Sequence, residues 1–214
     1  IYTLSLHDAL PIYMHVEALA SGLTELGYGP GDKVVAWMPA GAAEYMVVLL
    51  GGARVGVTVV VVEGEAGLED VRKVVRTHGA KGLIVWHGFG EGEADVVEKL
   101  APGIAARDAS GLAGFSRLSG KDFVCEEMPG LKHLVHTGGE NVRGTLCFRN
   151  LMVYNPANVI PSASTDVPLL IEANTGKSVT EAQLLKEAKE LGAELKLNAD
   201  HDSKRSEEHT SELQ

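Results

Sequence analysis

The chain has 214 residues, 45% of them hydrophobic, and its 29 Asp and Glu outweigh 19 Lys and Arg to give a formal net charge of −10. An acidic balance with no basic stripe argues against nucleic acid as a partner. The longest apolar runs, MVVLL and VTVVVV, fall far short of the ~20 residues that a membrane span needs, and the two cysteines, Cys125 and Cys147, suggest no disulfide framework and fit a reducing, intracellular setting.

The chain opens with IYTLSLHDALPI and closes with RSEEHTSELQ. Neither stretch has a helical or strand period or an apolar face to bury. Both back-translate codon by codon into the two arms of a short-read sequencing adapter. Residues 1–12 and 205–214 therefore carry no fold or functional expectation, and His7, Asp8, Glu207, Glu208 and His209 are set aside. Leaving out four carboxylates (Asp8, Glu207, Glu208, Glu212) and Arg205 moves the formal charge from −10 to −7. Residues 13–204 are expected to form one incomplete domain, long enough for a real core. Targeting signals at native termini are outside it, so cytoplasm, peroxisome and mitochondrion stay open as compartments.

VEALASGLTELG places Leu19, Leu23 and Leu26 on one helical face, with Gly27 to end the helix. GYGPGDK is a turn cluster, and KVVAWM reads as a short buried strand. AAEYMVVLLGGARVG is a helix with almost no polar face. VTVVVVE is the second strand, β-branched, continuous and buried on both faces. GLEDVRKVVRTHG is amphipathic, with Leu68, Val71, Val74 and Val75 inward and Gly79 placed to stop it. GLIVW is a third strand, EADVVEKLA another helix, and LKHLVH a fourth strand. Strand–helix alternation of this kind predicts an α/β fold, a parallel sheet flanked by helices with right-handed crossovers.

After about Thr137 the pattern weakens, and TGGENVRGTLCFRNLMVYNPANVIPSASTD reads as one long connection. VPLLIEA is then a buried strand and VTEAQLLKEAKELGAEL a strong amphipathic helix. Between them lies ANTGKS. A strand, a Gly-Lys-Ser loop and a helix start can hold phosphate, because backbone N–H groups point at the anion and the Lys adds a mobile charge. Thr175, Gly176, Lys177 and Ser178 would supply those parts. The full phosphate-loop pattern wants a Gly where Ile171 stands. The plainer alternative is a strand-to-helix turn with Ser178 as N-cap and Glu181 closing a capping box.

Other candidates read more simply as structure. His133 and His136 have an odd spacing, which in a strand puts them on opposite faces and prevents them from sharing one ion, so half-buried or surface histidines are expected. Cys125 and Cys147 lack CxxC spacing and read as inert thiols. Glu126–Glu127 and Glu91–Glu93 read as solvated loop charges. TGG at Thr137–Glu140 reads as a turn rather than an anion nest, and Trp37 and Trp86, at strand ends, read as core. No residue is assigned a catalytic or metal-binding role.

From Val16 to Ile84 the chain resembles the start of the AMP-forming acyl-CoA synthetases, the adenylating acyl/aryl ligases. The resemblance is carried by LASGLTELGYGPGDKVVAWMPAGAAEYMVVLLGGARVGVTVVVV, with its GxxPGDxV turn, small-residue helix and Val-rich strand, and GLEDVRKVVRTHGAKGLIV continues the same order. It implies the N-terminal part of an adenylating-enzyme large domain. It also implies ATP and Mg²⁺ as cofactors, coenzyme A as co-substrate of the full-length enzyme, and a small carboxylic acid activated as an acyl-adenylate. In that family a Ser/Thr/Gly-rich loop ending in Thr-Gly-x-Pro-Lys-Gly wraps the ATP phosphates. Asn174, Thr175, Gly176 and Lys177 match it by position, and Ser178 replaces its last Gly. Glu172 and Ala173 stand in place of Ser/Thr, the x-Pro pair is missing, and the Glu172 carboxylate would repel phosphate. The resemblance thus implies a ligase fragment, inactive alone. A non-catalytic binding or scaffolding member with a degenerate loop is the alternative, and an unrelated phosphate-loop nucleotidase a third.

Overall fold

The computed structural model describes residues 6–88, 93–104, 125–139, 142–153, 155, 168–180, 182, 183 and 186. In chain order these form α1 (Leu6–Glu25), β1 (Lys33–Trp37), α2 (Ala43–Val55), β2 (Thr58–Val62), α3 (Leu68–His78), β3 (Gly82–Val85), α4 (Glu93–Leu100), β4 (His133–His136), β5 (Leu146–Cys147), α5 (Phe148–Leu151), β6 (Pro168–Glu172) and β7 (Ser178–Thr180). The strands make one sheet in the order β5-β4-β3-β1-β2-β6-β7. All pairings are parallel except β6 with β7. The α/β class expected from strand–helix alternation is the class observed.

The valine-rich strands are central because both of their faces are covered. In β1, Val34 and Ala36 join a cluster built with Leu19, Leu23 and Val48, while Val35 and Trp37 join a second cluster with Val71, Val75 and Leu100. β2 divides its valines the same way: Val59 lies with the first cluster, Val60 and Val62 with the second. Helices α1, α2 and α5 therefore cover one face, and α3 and α4 the other. Within α3, Val71 and Val75 are fully buried, and Leu68 and Val74 pack at the edge of that cluster. Arg72 on the same helix donates from Nε to the Leu100 carbonyl at 3.0 Å, tying α3 to the carboxyl end of α4.

The GPGD turn has a specific backbone reason. Asp32 N–H donates to the Gly29 carbonyl at 3.1 Å across a turn in which Gly31 has φ +90°. Pro30 followed by a positive-φ glycine is the type II arrangement. The Asp32 carboxylate accepts the Gly29 N–H at 3.0 Å and pairs with Lys81 at 3.0 Å, so the turn is tied to the start of β3.

Residues 6–12, for which no fold was expected or excluded, lie in the first turns of α1. Ile12, Tyr13 and Met14 are exposed. Three expectations are corrected. Within the long connection after Thr137 lie β5 and α5, of two and four residues. Both are too short to show a period, yet Leu151 of α5 is fully buried with its carbonyl against Gly22. His133 and His136 are 3% and 1% exposed, not half-buried or on the surface. Burial is affordable for His133 because Nδ1 lies 3.0 Å from the Tyr28 hydroxyl. Finally, Ser178 begins a strand rather than a helix.

Candidate functional site

Parallel pairing of β2 with β6 (Val59↔Leu170, Val60↔Ile171, Val61↔Glu172) carries the turn after Glu172 to the carboxyl ends of the strands. In open α/β sheets that edge is where ligands bind. β6 alternates: Leu170 packs with the cluster on the α2 face, Ile171 and Ala173 with the cluster on the α3 face. Glu172 therefore belongs to the α2 face, and its charge is felt there by Tyr45 of α2. Burial first, and the Glu172 carboxylate second, raise the Tyr45 phenol above its ordinary value.

Asn174, Thr175, Gly176, Lys177 and Ser178 are all exposed and close a β-hairpin, not a strand-to-helix loop. Ser178 pairs with Ile171 as the first residue of β7, so it is not an N-cap. The reciprocal cap lies two residues on. Gln183 N–H donates to Thr180 Oγ1 at 3.2 Å, and Thr180 N–H donates to Gln183 Oε1 at 2.9 Å. This is a capping box built from Thr and Gln, with Ala182, Gln183 and Lys186 helical beyond it. Glu181 lies outside the described residues. Sequence spacing alone fits either register; cross-strand pairing with β6 selects the later one.

The turn satisfies its own donors. Gly176, at φ +67°, donates its N–H to the Glu172 carbonyl at 2.8 Å, and Glu172 N–H donates to the Lys177 carbonyl at 2.9 Å. Lys177 N–H donates to Thr175 Oγ1 at 3.1 Å, and that hydroxyl donates to Glu172 Oε2 at 2.8 Å. A relay thus runs from the Lys177 amide through the Thr175 hydroxyl into a carboxylate. In this arrangement both the Gly176 and Lys177 amides are already bonded within the turn and do not fit a phosphate. The Lys177 side chain is exposed at the tip. No group of three or more His, Cys, Asp or Glu among the described residues could hold a metal ion, so no Mg²⁺ ligand is assigned.

On the α3 side of the hairpin lies an open groove of about 440 Å³, lined among others by Glu63, Glu65, Asp70, Lys73, His78 and Asn174. Desolvation, then the charge of Lys33, lowers the His78 pKa and favours the neutral ring. Three carboxylates against one ammonium make this groove inhospitable to phosphate.

The other singled-out residues are dispersed. Cys125 and Cys147 are free thiols. Burial raises the Cys125 thiol, and its Sγ lies 3.3 Å from Glu127 Oε2, so Glu127 is not simply solvated. Glu126 is exposed, whereas Glu91 and Glu140 lie outside the described residues. Trp37 is core, and Trp86 is partly buried against the α2-side cluster. Thr137 is buried and bound to His87: its Oγ1 accepts the His87 N–H at 3.0 Å and lies 2.9 Å from Nδ1. Sequence reasoning passed over His87, because nothing local marks two residues from neighbouring strand ends as partners.

The sequence pattern of the AMP-binding enzyme family matches residues 12–143. Comparison with curated proteins yields no match. Among solved structures, a Rhodopseudomonas palustris protein regarded as a long-chain-fatty-acid CoA ligase superposes with a TM-score of 0.61 at 16% identity, covering 86% of this chain and 40% of the other. A benzoate CoA ligase from Burkholderia xenovorans gives 0.59 at 17%, covering 83% and 30%. An anthranilate CoA ligase in complex with anthranoyl-AMP gives 0.53 at 17%, covering 75% and 25%. At these identities the likeness is one of fold, and the chain spans well under half the length of each.

Proposed function

The chain belongs to the AMP-binding enzyme family, and from that membership we propose that it is the N-terminal portion of an AMP-forming ligase that activates a carboxylic acid as an acyl-adenylate and passes the acyl group to coenzyme A. The observation that carries this reading is the family match over residues 12–143 on a sheet whose β6–β7 turn, Asn174–Ser178, sits at the carboxyl edge of the strands. ATP is the adenylate donor in the proposal, with Mg²⁺ as its counter-ion. Asn174, Thr175, Gly176, Lys177 and Ser178 are the proposed contacts to its phosphates, Thr175 through a hydroxyl and Lys177 through a mobile ammonium.

The acid, the pocket that selects it and the groups that stabilise the transition state belong to the remainder of the ligase, because preorganised charge stabilisation needs the whole constellation. Residues 13–204 alone are proposed to be inactive. A second reading, a binding or scaffolding member with a degenerate loop, is favoured by one observation: the Thr175 hydroxyl is already engaged by Glu172.

One experiment separates the two. The source transcript is extended outward past Tyr13 and Lys204, and the full-length product is assayed for acid-dependent exchange of pyrophosphate into ATP over a panel of carboxylic acids. Exchange with any acid establishes the ligase; a soluble full-length protein that exchanges with none leaves the scaffold reading.

A further inference from the structure

The most informative departure from a phosphate loop is not what the turn lacks but what occupies it. Glu172 reaches the hydroxyl of Thr175 at 2.8 Å and accepts the Gly176 amide on its own carbonyl at 2.8 Å. The Lys177 amide is consumed in turn by Thr175 Oγ1. These two amides and this hydroxyl are the groups that a phosphate would use, and an oxygen anion already sits on the hydroxyl. A carboxylate accepting from a hydroxyl makes a charge-assisted bond, stronger than a neutral one. The carboxylate also sets up a repulsive field for an incoming phosphate.

We propose that Glu172 is an internal gate on the Asn174–Ser178 turn, occupying the anion position at Thr175 and holding the turn closed against the phosphates of a nucleotide. The proposal rests on the reading of this turn as the phosphate-contacting loop of a ligase. Opening requires the Glu172–Thr175 bond to break, which frees the Thr175 hydroxyl hydrogen; rotation of the released side chain then frees the Lys177 amide. The anion that opens the turn must outcompete a tethered carboxylate, so an extended polyphosphate engaging Thr175 and Lys177 together is selected over a single phosphate. Glu172 thereby acts as a specificity-determining residue by exclusion.

The test uses the purified 214-residue chain, titrated calorimetrically with inorganic tripolyphosphate and, separately, with ATP and Mg²⁺. Glu172→Ala is expected to bind tripolyphosphate at least about tenfold more tightly than the unmodified chain, and adding Lys177→Ala is expected to abolish the gain. Asp95→Asn, on the exposed side of α4, removes the same unit of charge and is expected to give no such gain. If Glu172→Ala binds no tighter than the unmodified chain, or if Asp95→Asn matches it, the gate is overturned. A gain that survives loss of Lys177 also overturns it, because the anion then binds elsewhere. Should Glu172→Ala fail to fold, Glu172→Gln keeps the length of the side chain and must still raise the affinity; no rise overturns the gate. The two readings fail separately. A Glu172→Ala gain with an inactive full-length protein sinks the ligase and spares the gate, and an active full-length ligase with no gain does the reverse.

Discussion

The hydroxyl of Tyr28 lies 3.0 Å from Nδ1 of His133, a residue 105 positions further along the chain. The pair is buried at the amino ends of β3 and β4, with the Lys81 ammonium 4.8 Å from the centre of the Tyr28 ring. Gly82 makes room for it, since a Cβ there would run into the Tyr28 hydroxyl. Gly82→Ala is therefore expected to cost about 1–3 kcal/mol by overpacking. Tyr28→Phe, which deletes the bond and keeps the ring, should cost about 1 kcal/mol. Urea unfolding of the single and double variants checks the relationship. In the double variant the added methyl meets no hydroxyl, so its cost should be less than the sum of the two single costs.

The same geometry operates where α1 meets α5. A Cβ on Gly22 would strike the Leu151 carbonyl, a backbone atom that no side-chain rotation can move away. Gly22→Ala should destabilise the chain by about 1–3 kcal/mol. Gly41→Ala, with nothing within 4 Å of the added carbon, should change stability by less than about 0.5 kcal/mol. Paired thermal melts measure both. Equal melting temperatures would mean that α5 does not hold α1 as described.

Burial holds His136 below the ordinary histidine value of 6.5, and it disfavours the imidazolium. Below that pH the unfolded chain binds a proton that the native chain resists. Stability from this group is therefore complete above 6.5 and falls as pH drops through the unfolded value toward the lowered native one. His78 is shifted in the same direction and adds to the slope. Unfolding free energies measured between about pH 7.5 and 5.5, above the main carboxylate range, should decline. His136→Leu should flatten that decline; an unchanged slope would remove His136 as its source.

Tyr45 reports the charge at the hairpin without any ligand. Its phenol is raised by burial and then by Glu172, so Glu172→Gln should lower it while leaving it above the usual value of 10.0, because the burial remains. Phenolate titration followed by NMR of labelled tyrosine, assigned with Tyr45→Phe, measures the shift. A Tyr45 titration that ignores Glu172 would place the carboxylate elsewhere in solution.

Periodicity is a local record of burial, and it made the central fold legible. The alternating division of KVVAW and VTVVVV between two faces, the 3.6-residue spacing of Val71 and Val75, and the stops at Gly27 and Gly79 are all set within a few residues of chain. They suffice to predict a parallel sheet flanked by helices. The turn GPGD was legible for the same reason, since Pro30 and Gly31 restrict their own backbones.

What the chain could not announce locally was decided by partners distant in sequence. Burial of His133 depends on Tyr28, and α5 exists as a packing surface for Gly22. At the candidate site the residue types Asn174–Ser178 were visible, but their conformation was not. A Gly-Lys-Ser loop can lead into a helix or fold back as a hairpin, and here the hydrogen bonds of β7 along β6 make it a hairpin. Once the hairpin forms, Glu172 and Thr175 are brought within hydrogen-bonding distance. The residues available to meet a phosphate were written in the sequence; whether their donors are open or already taken was set by strand pairing, because a hydrogen bond depends on where its partner has been folded.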